Sequence, residues 1–576
     1  MTNELYRLIL EQTLSGNIEK KTGIKMLEQL KQIDCDSEDS IAIIGMSGRF
    51  PGADSVEEFW SIIEHGINLT TAFPRDRCAS MNAYKAAKKI TGEYLQGAYL
   101  HDIDKFDHKF YHLSKREAST MSPTQRIMLD VMYDALIDAG YPPNVICGAR
   151  VGVYVGHSDD LRTTYSSLVR EIQPLDSSLS VPGNLASIIP SQLSFFLNLK
   201  GPSILIDTAC SSFLTALHTA CSGLINDCDM AVVGGIKICL LPVDNHIKLG
   251  MESDDGYTRT FNDNSNGTGI GEGAGALVIK PLKAALKSHD NIIAVIIGDA
   301  INQDGTTSGI TVPNIESQAN LLYNAWNKAS VIPGDICYIE AHGTATKLGD
   351  PIEIEAISAA VSRFSNNKQF CGIGSVKSNI GHLYEGAGVA SIIKACLMLK
   401  HRCIPPTVLF DTPNRRIDFI NSPIYVVDKA RAVPEQKVMR VGISGFGFSG
   451  TNCHVVLEEY RTKADDCGGI FTISANDMDT LYQWAKLLSK VDYSAISMKG
   501  VYYTQNARRD HMKIRAVIHA KNGSDLTTKL NKLSCGIQSD GIWFKLPDIK
   551  ELDDIGLFAD TVERYLNGES VDWSVK

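Results

Sequence analysis

The chain has 576 residues, 44% hydrophobic and 21% charged, with a formal net charge of −10. That length predicts two or three folding units, and the acidic balance excludes nucleic acid as the main partner. No apolar run reaches the roughly eighteen residues of a membrane-spanning helix, and the first thirty residues lack a cleavable signal pattern.

Residues 4–32 read as two amphipathic helical segments broken at Ser15-Gly16-Asn17, with leucines and isoleucines recurring at roughly helical spacing. So short a pair cannot bury much alone and should pack on the main body or on another protein. The polar run Asp34–Ser40 reads as a linker. Strand-like β-branched runs follow at 41–45, 151–155, 230–233, 276–279 and 292–297. Helical patterns fall between and after them at 126–139, 214–225, 316–328 and 353–364. Interleaving of this kind predicts an α/β layout around mixed, largely buried sheets. It closes with a strand near 450–457. After Gly468-Gly469 the texture changes. Strands at 471–474 and 514–520 and helices at 481–491 and 526–533 predict a small separate α/β unit, followed by a helix over 553–566. No internal repeat is visible.

The fourteen cysteines are scattered, without a CxxC pair or a zinc spacing, and read as buried thiols in a reducing cytoplasm. Cys210 is the exception. It stands in Ile206-Asp207-Thr208-Ala209-Cys210-Ser211-Ser212, a small-residue turn between a strand and a helix, where unpaired N–H groups favour a thiolate. Two further stretches carry histidines among small residues. One is Glu340-Ala341-His342-Gly343-Thr344-Ala345-Thr346, continuing through Gly349-Asp350-Pro351-Ile352-Glu353. The other is Lys377-Ser378-Asn379-Ile380-Gly381-His382, with Gly386-Ala387-Gly388 opening a helix. Either histidine alone reads as structural. Both in one chain with the Cys210 turn read as a site.

Together these stretches resemble the three signatures of β-ketoacyl synthases, DTACSS, HGTxT with LGDPIE, and KSNIGH. Ile43–Gly52 and Phe446–Asn452 match further motifs in family order, so the resemblance covers about residues 40–460. It is closest in style to ketosynthases of modular type I polyketide synthases, enzymes of polyketide and antibiotic biosynthesis. The fold it implies is the thiolase fold, a five-layered αβαβα architecture, normally a homodimer, with a small α/β flanking subdomain and N-terminal helices. The implied organisation is an N-terminal helical docking segment over 1–38, a ketosynthase domain over 39–460, a flanking subdomain over 461–550 and a wrapping segment over 551–576. No GHSxG acyltransferase motif separates the flanking region from the linker-like Asn567–Trp573, which implies a trans-acyltransferase system. The abrupt stop at Lys576 reads as an excised fragment.

The resemblance implies Cys210 as nucleophile with His342 and His382 as catalytic partners. It puts the oxyanion hole at the backbone N–H groups of Cys210 and Phe448, and pantetheine binding at Thr344 and Thr346. Phe446 and Phe448 fall in a gating loop. Glu353 and Lys377 match a buried ion pair that either orients His382 or is structural. No metal and no permanently bound cofactor are expected. Substrates arrive on the phosphopantetheine arm of acyl carrier protein, and a trans-acting acyltransferase and adjacent synthase modules are further expected partners. Lys85, Lys88, Lys89, Lys105, Arg415 and Arg416 could meet an acidic carrier, though solvated surface charge is the default reading. Three departures stand out: Ala345 where Gly is usual, Phe213 in place of a third serine, and Gln192 in place of Arg. The rival readings are a non-elongating ketosynthase, which typically lacks the first histidine, and a docking or assembly module.

Overall fold

The computed structural model describes residues 40–159, 164–244, 250–461, 465–537, 539–544, 559–571 and 573, with isolated positions before residue 40. Apart from those positions, the helical pair expected over 4–32 lies outside the described residues. The chain divides into two compact units, Met1–Ala135 with Gly148–Glu459, and Leu136–Cys147 with Tyr460–Lys576.

The first unit is built on β1 (Ile41–Arg49), β2 (Val151–Gly156), β3 (Ser203–Ile206), β4 (Met230–Lys237), β5 (Gly273–Pro281) and β6 (Ala294–Gln303). It continues with β7 (Tyr338–Glu340), β8 (Cys371–Gly374), β9 (Ile424–Val426), β10 (Arg440–Phe446) and β11 (Thr451–Glu459). Hydrogen bonds join them in the order β9-β8-β7-β10-β11-β6-β1-β5-β4-β2-β3. The contact between β1 and β6 involves only Ile41–Ile43 against Ala294–Ile296, and it divides the ladder into two similar halves. In one half β3, β2 and β4 run parallel, with β5 and β1 antiparallel. In the other, β9, β8, β7 and β10 run parallel, with β11 and β6 antiparallel. This duplication of strand directions leaves no trace in the residues themselves.

Strands buried on both faces read as near-continuous apolar runs, and β2 and β4 are buried at every position. The helix α1 (Ile188–Phe196) covers β2 and β3. Between the two halves lie α2 (Ser212–Asn226) and α5 (Ala387–His401), which touch each other and strands of both. All of Ala387–Leu399 is buried, as expected for a helix that is apolar all round. Over the second half lie α3 (Ile315–Lys328) and α4 (Gly349–Ser362), whose apolar faces pack on each other and on β6 and β11. These are the five layers of the thiolase fold.

The second unit has its own three-stranded antiparallel sheet, β12 (Gly469–Ala475), β13 (Ile514–Ala520) and β14 (Ile542–Trp543). Against it pack α6 (Met478–Leu488), α7 (Met498–Ala507), α8 (Gly523–Ser534) and α9 (Ala559–Leu566). Its core is separate, centred on Phe471, Ile473, Leu481, Ile518, Leu526 and Leu530. The sequence pattern missed β8, β9, β10, β14, α1 and α7. Of the helix expected over 553–566, α9 holds the described part, and 553–558 lie outside the described residues.

Candidate active site

Cys210 lies in the turn that joins β3 to α2. The turn is held by its own short polar side chains. Asp207 Oδ1 accepts the Ala209 N–H at 3.0 Å, and Ser212 Oγ accepts the Thr208 N–H at 2.9 Å. Ser212 Oγ also donates to the Ala209 carbonyl at 2.6 Å, and the Thr208 and Ser211 hydroxyls meet at 2.9 Å. So tight a reversal forces Ala209 to φ +57°, a left-handed conformation that costs a residue with a Cβ about 1–2 kcal/mol. The thiol is 8% exposed.

The backbone N–H of Phe448 points at Cys210 Sγ. The expected thiolate does not follow. Burial pushes the Cys210 thiol up to about 12, and Glu385 adds to the effect; Lys377, the Phe448 N–H and Lys237 oppose it. The α2 helix begins only at Ser212, and apolar surroundings outweigh its dipole. The resting nucleophile is a neutral thiol.

His342 follows β7 and His382 follows β8, on neighbouring parallel strands of one half of the sheet. Their ring centroids are 5.6 Å apart and the rings are nearly perpendicular. Burial holds both imidazoles well below the ordinary histidine range, helped by the positive charge of Lys377. Both are therefore neutral. The Tyr384 N–H donates to His382 Nδ1 at 3.1 Å, which leaves the proton on Nε2. Nε2 is buried and has no hydrogen-bond partner among the described residues. Phe446 lies 5.6 Å from the His342 ring, while Phe448 is 36% exposed at the loop tip.

Glu353 does not form the expected contact pair with Lys377. Its carboxylate accepts the His342 N–H at 2.8 Å and the Gly343 N–H at 2.9 Å, fixing the loop from below. Among the described residues no carboxylate oxygen lies within 4 Å of Lys377 Nζ. Burial lowers its pKa, and the charges of Glu340, Glu353, Cys210 and Asp350 raise it again. The direct buried pair is Glu340 with Lys394 at 2.7 Å, both essentially inaccessible. Glu340 also accepts the Val376 N–H at 2.6 Å and the Tyr338 hydroxyl at 2.9 Å. One carboxylate thus ties the strand leading to His342 to the segment leading to Lys377. Sequence reasoning missed this pair, although a lysine inside the apolar run Ala387–Leu399 was a readable signal.

Thr344 and Thr346 stand half-buried on the same loop with their hydroxyls 3.3 Å apart, and Thr346 also caps the Gly349 N–H. Between them Ala345 is fully buried at φ +58°, and its N–H is held by Asp350. A left-handed position explains why glycine is usual there. Phe213 does not shape the pocket floor; it is fully buried in the core against Gly235 and Gly388. Gln192 is half-buried on α1. Several of the basic residues suggested for an acidic carrier are engaged locally. Lys88 pairs with Glu171, Arg415 with Asp263, and Lys85 donates to the Gly92 carbonyl.

Comparison with known proteins agrees with this geometry. Residues 38–285 match the family described as Beta-ketoacyl synthase, N-terminal domain, and 293–411 match its C-terminal domain. Residues 413–518 match the Ketoacyl-synthetase C-terminal extension. Similar curated relatives include polyketide synthases PksN and PksL of Bacillus subtilis (strain 168), 36% and 39% identical over 95% and 86% of this chain. The chain spans 11% of the length of each. Among solved structures, a ketosynthase from module 6 of the bacillaene synthase of Bacillus subtilis 168 is 36% identical, with a TM-score of 0.77. That match covers 93% of this chain and 95% of the other. Ketosynthase twelve from the bacillaene polyketide synthase of Bacillus amyloliquefaciens is 31% identical with a TM-score of 0.78, covering 93% and 96%. Motif order, strand plan and the family and structure matches lead to one conclusion: the chain belongs to the β-ketoacyl synthase family, as a ketosynthase of the polyketide synthase kind.

Proposed function

We propose that this ketosynthase takes an acyl chain from the phosphopantetheine thioester of an acyl carrier protein onto Cys210. It then lengthens the chain by decarboxylative Claisen condensation with a malonyl-type unit on a second carrier. The observation that carries this reading is a pair of neutral imidazoles that share Lys377 as a charged neighbour with Cys210, one with a proton on Nε2 that no group among the described residues claims.

Sγ of Cys210 attacks the thioester carbonyl carbon, and the C–S bond to pantetheine breaks. The pantetheine sulfur leaves with the proton given up by Cys210. The transient oxyanion is held by the Cys210 and Phe448 N–H groups. The malonyl unit then loses CO₂, and the electron pair of the broken C–C bond moves onto its thioester oxygen. His342 and His382 donate hydrogen bonds to that oxygen and can do so only while neutral in the right tautomer. The enolate carbon attacks the acyl-Cys210 carbonyl, the C–Sγ bond breaks, and Cys210 recovers a proton. Thr344 and Thr346 receive the pantetheine arm; Glu353 and Lys377 support the histidine loops. Phe446 and Phe448 gate entry.

Condensation is favoured over mere acyl transfer because His342 is present and held in place by Glu353. A homodimer is supported by the edge of the sheet. Strand β3 is the last strand, with Ile204 39% exposed, and Phe195 on the adjoining α1 is 85% exposed. An acyltransferase acting in trans is supported by the absence of GHSxG between the flanking unit and Asn567–Trp573. Among the described residues no cysteine forms a disulfide, which suits a reducing cytoplasm. No helix among the described residues is long and apolar enough to cross a membrane.

The test is intact-mass analysis of the protein loaded from an acyl-pantetheine thioester and then given malonyl carrier protein. Acylation lost only in Cys210→Ala, with elongation lost also in His342→Ala, is the expected result. Acylation of the wild type without elongation, across several chain lengths, would establish the non-elongating enzyme. No acylation at Cys210 would leave the docking module.

A further inference from the structure

A cavity of about 80 Å³ shares Lys237 with the surroundings of Cys210, and it is unusually polar for a place that would receive hydrocarbon. Its lining includes Ser122, Thr124, His157, Ser158, Asn184 and Lys237. The link to the reaction centre runs through the Lys237 side chain. Tyr384 stacks on His382 at 4.8 Å, and the Lys237 ammonium sits over the other aromatic partner of that stack, 5.1 Å from the Tyr384 ring centroid. Lys237 is also close enough to act on the charge of Cys210.

The polar groups are not loose. Glu385 is buried, and it holds Lys237 at 3.2 Å through one carboxylate oxygen and the Ser158 hydroxyl at 2.8 Å through the other. Because Ser158 spends its proton on Glu385, its oxygen can offer only lone pairs to the cavity. Lys237 can offer only N–H. One rigid carboxylate thus sets a hydrogen-bond acceptor beside a hydrogen-bond donor.

On the ketosynthase reading above, we infer that this cavity selects acyl chains bearing a hydroxyl group, with Lys237 and Ser158 as the specificity-determining residues. A hydroxyl is the neutral group that both donates and accepts, so it satisfies both side chains at once. A saturated chain would displace water from Lys237 and Ser158 and return no hydrogen bond, which penalises it. A carboxylate-bearing chain would face Glu385, and Asp159 beside His157 at 3.8 Å; an ammonium-bearing chain would face Lys237.

The experiment measures the rate of Cys210 acylation by intact mass with hexanoyl-pantetheine and its 3-hydroxy and 5-hydroxy counterparts. At least one hydroxylated thioester should load faster than hexanoyl by about tenfold or more. Lys237→Met and Ser158→Ala should each bring that ratio to within about twofold by slowing the hydroxylated substrate. Thermal melting of both variants reports whether each is folded, and either alone suffices for the comparison. Equal or faster loading of hexanoyl by the wild type overturns the inference and leaves the ketosynthase reading intact. So does a preference that survives both substitutions. Failure of all three thioesters to load overturns both.

Discussion

The backbone N–H of Tyr384 donates to Nδ1 of His382 across 3.1 Å, while the tyrosine ring stacks on the imidazole it orients. This places the His382 proton on Nε2, where no group among the described residues claims it. His382→Ala should therefore lower condensation about 10²–10³-fold with Cys210 acylation retained. The side-chain amide of glutamine reaches further than that of asparagine and carries an N–H donor near the Nε2 position. His382→Gln should condense about tenfold faster than His382→Ala, and His382→Asn should not. Single-turnover elongation on preloaded protein measures all three. Equal rates for Gln and Ala would remove the donor role.

The pH dependence follows from the same burial. His342 and His382 are held well below the ordinary histidine pKa, and His454, hydrogen-bonded to Ser444 in the core, is pushed down to about 3. Elongation by preloaded enzyme should therefore not titrate near pH 6.5 as an ordinary histidine would. Stability behaves differently. Below about pH 6.5 the unfolded chain binds protons that the folded chain refuses, so stability is full above that pH and falls as pH drops. Each fully buried neutral histidine accounts for about 1.4 kcal/mol of loss at pH 5.5. Melting from pH 8 to 5.5 should show this slope, and His454→Gln should flatten it by about one proton without changing the elongation profile.

Glu340 and Lys394 form the buried pair that joins the two histidine-bearing segments. Removing one partner strands a charge in the core. Lys394→Met should cost about 3–5 kcal/mol by urea denaturation. Glu340→Gln combined with Lys394→Met should recover more than half of that, because no ion is then left unpaired. If the single and double variants are equally unstable, the pair contributes through packing alone.

Much of this was legible in the residues, for identifiable reasons. Long strands such as β4 and β5 carry enough β-branched residues to stand out, and Cys210, His342 and His382 sit in short motifs whose order is specific. The strands β8 and β10 were not legible: Cys371–Gly374 is half glycine, and Arg440–Phe446 is interrupted by Gly442 and Gly445. Their pairing comes from tertiary neighbours, not from local propensity. The resting state of Cys210 was misjudged because helix position can be read from a sequence but the depth of burial cannot. The Glu353–Lys377 contact was misjudged for a related reason. Motif resemblance brings two charges near each other without saying which carboxylate oxygen is already committed to backbone N–H groups.

Ala345 offers the sharpest separation of backbone from side-chain effects. It holds φ +58° at zero exposure, between the two threonines proposed to receive the pantetheine arm. Ala345→Gly relieves the left-handed strain of about 1–2 kcal/mol, but it gives up a buried methyl and adds unfolded-state entropy of similar total size. Stability should therefore stay within about 0.5 kcal/mol of the wild type, and acyl loading should be unchanged. Ala345→Val must hold a β-branched side chain in the same conformation in a filled site. It should cost about 3 kcal/mol or more and raise the KM for acyl-pantetheine, because Thr344 and Thr346 move with the loop. Urea denaturation with loading kinetics on the two variants checks both. A tolerant valine would mean that the loop adapts freely, and the threonines would then owe their placement to the bound arm and not to the fold.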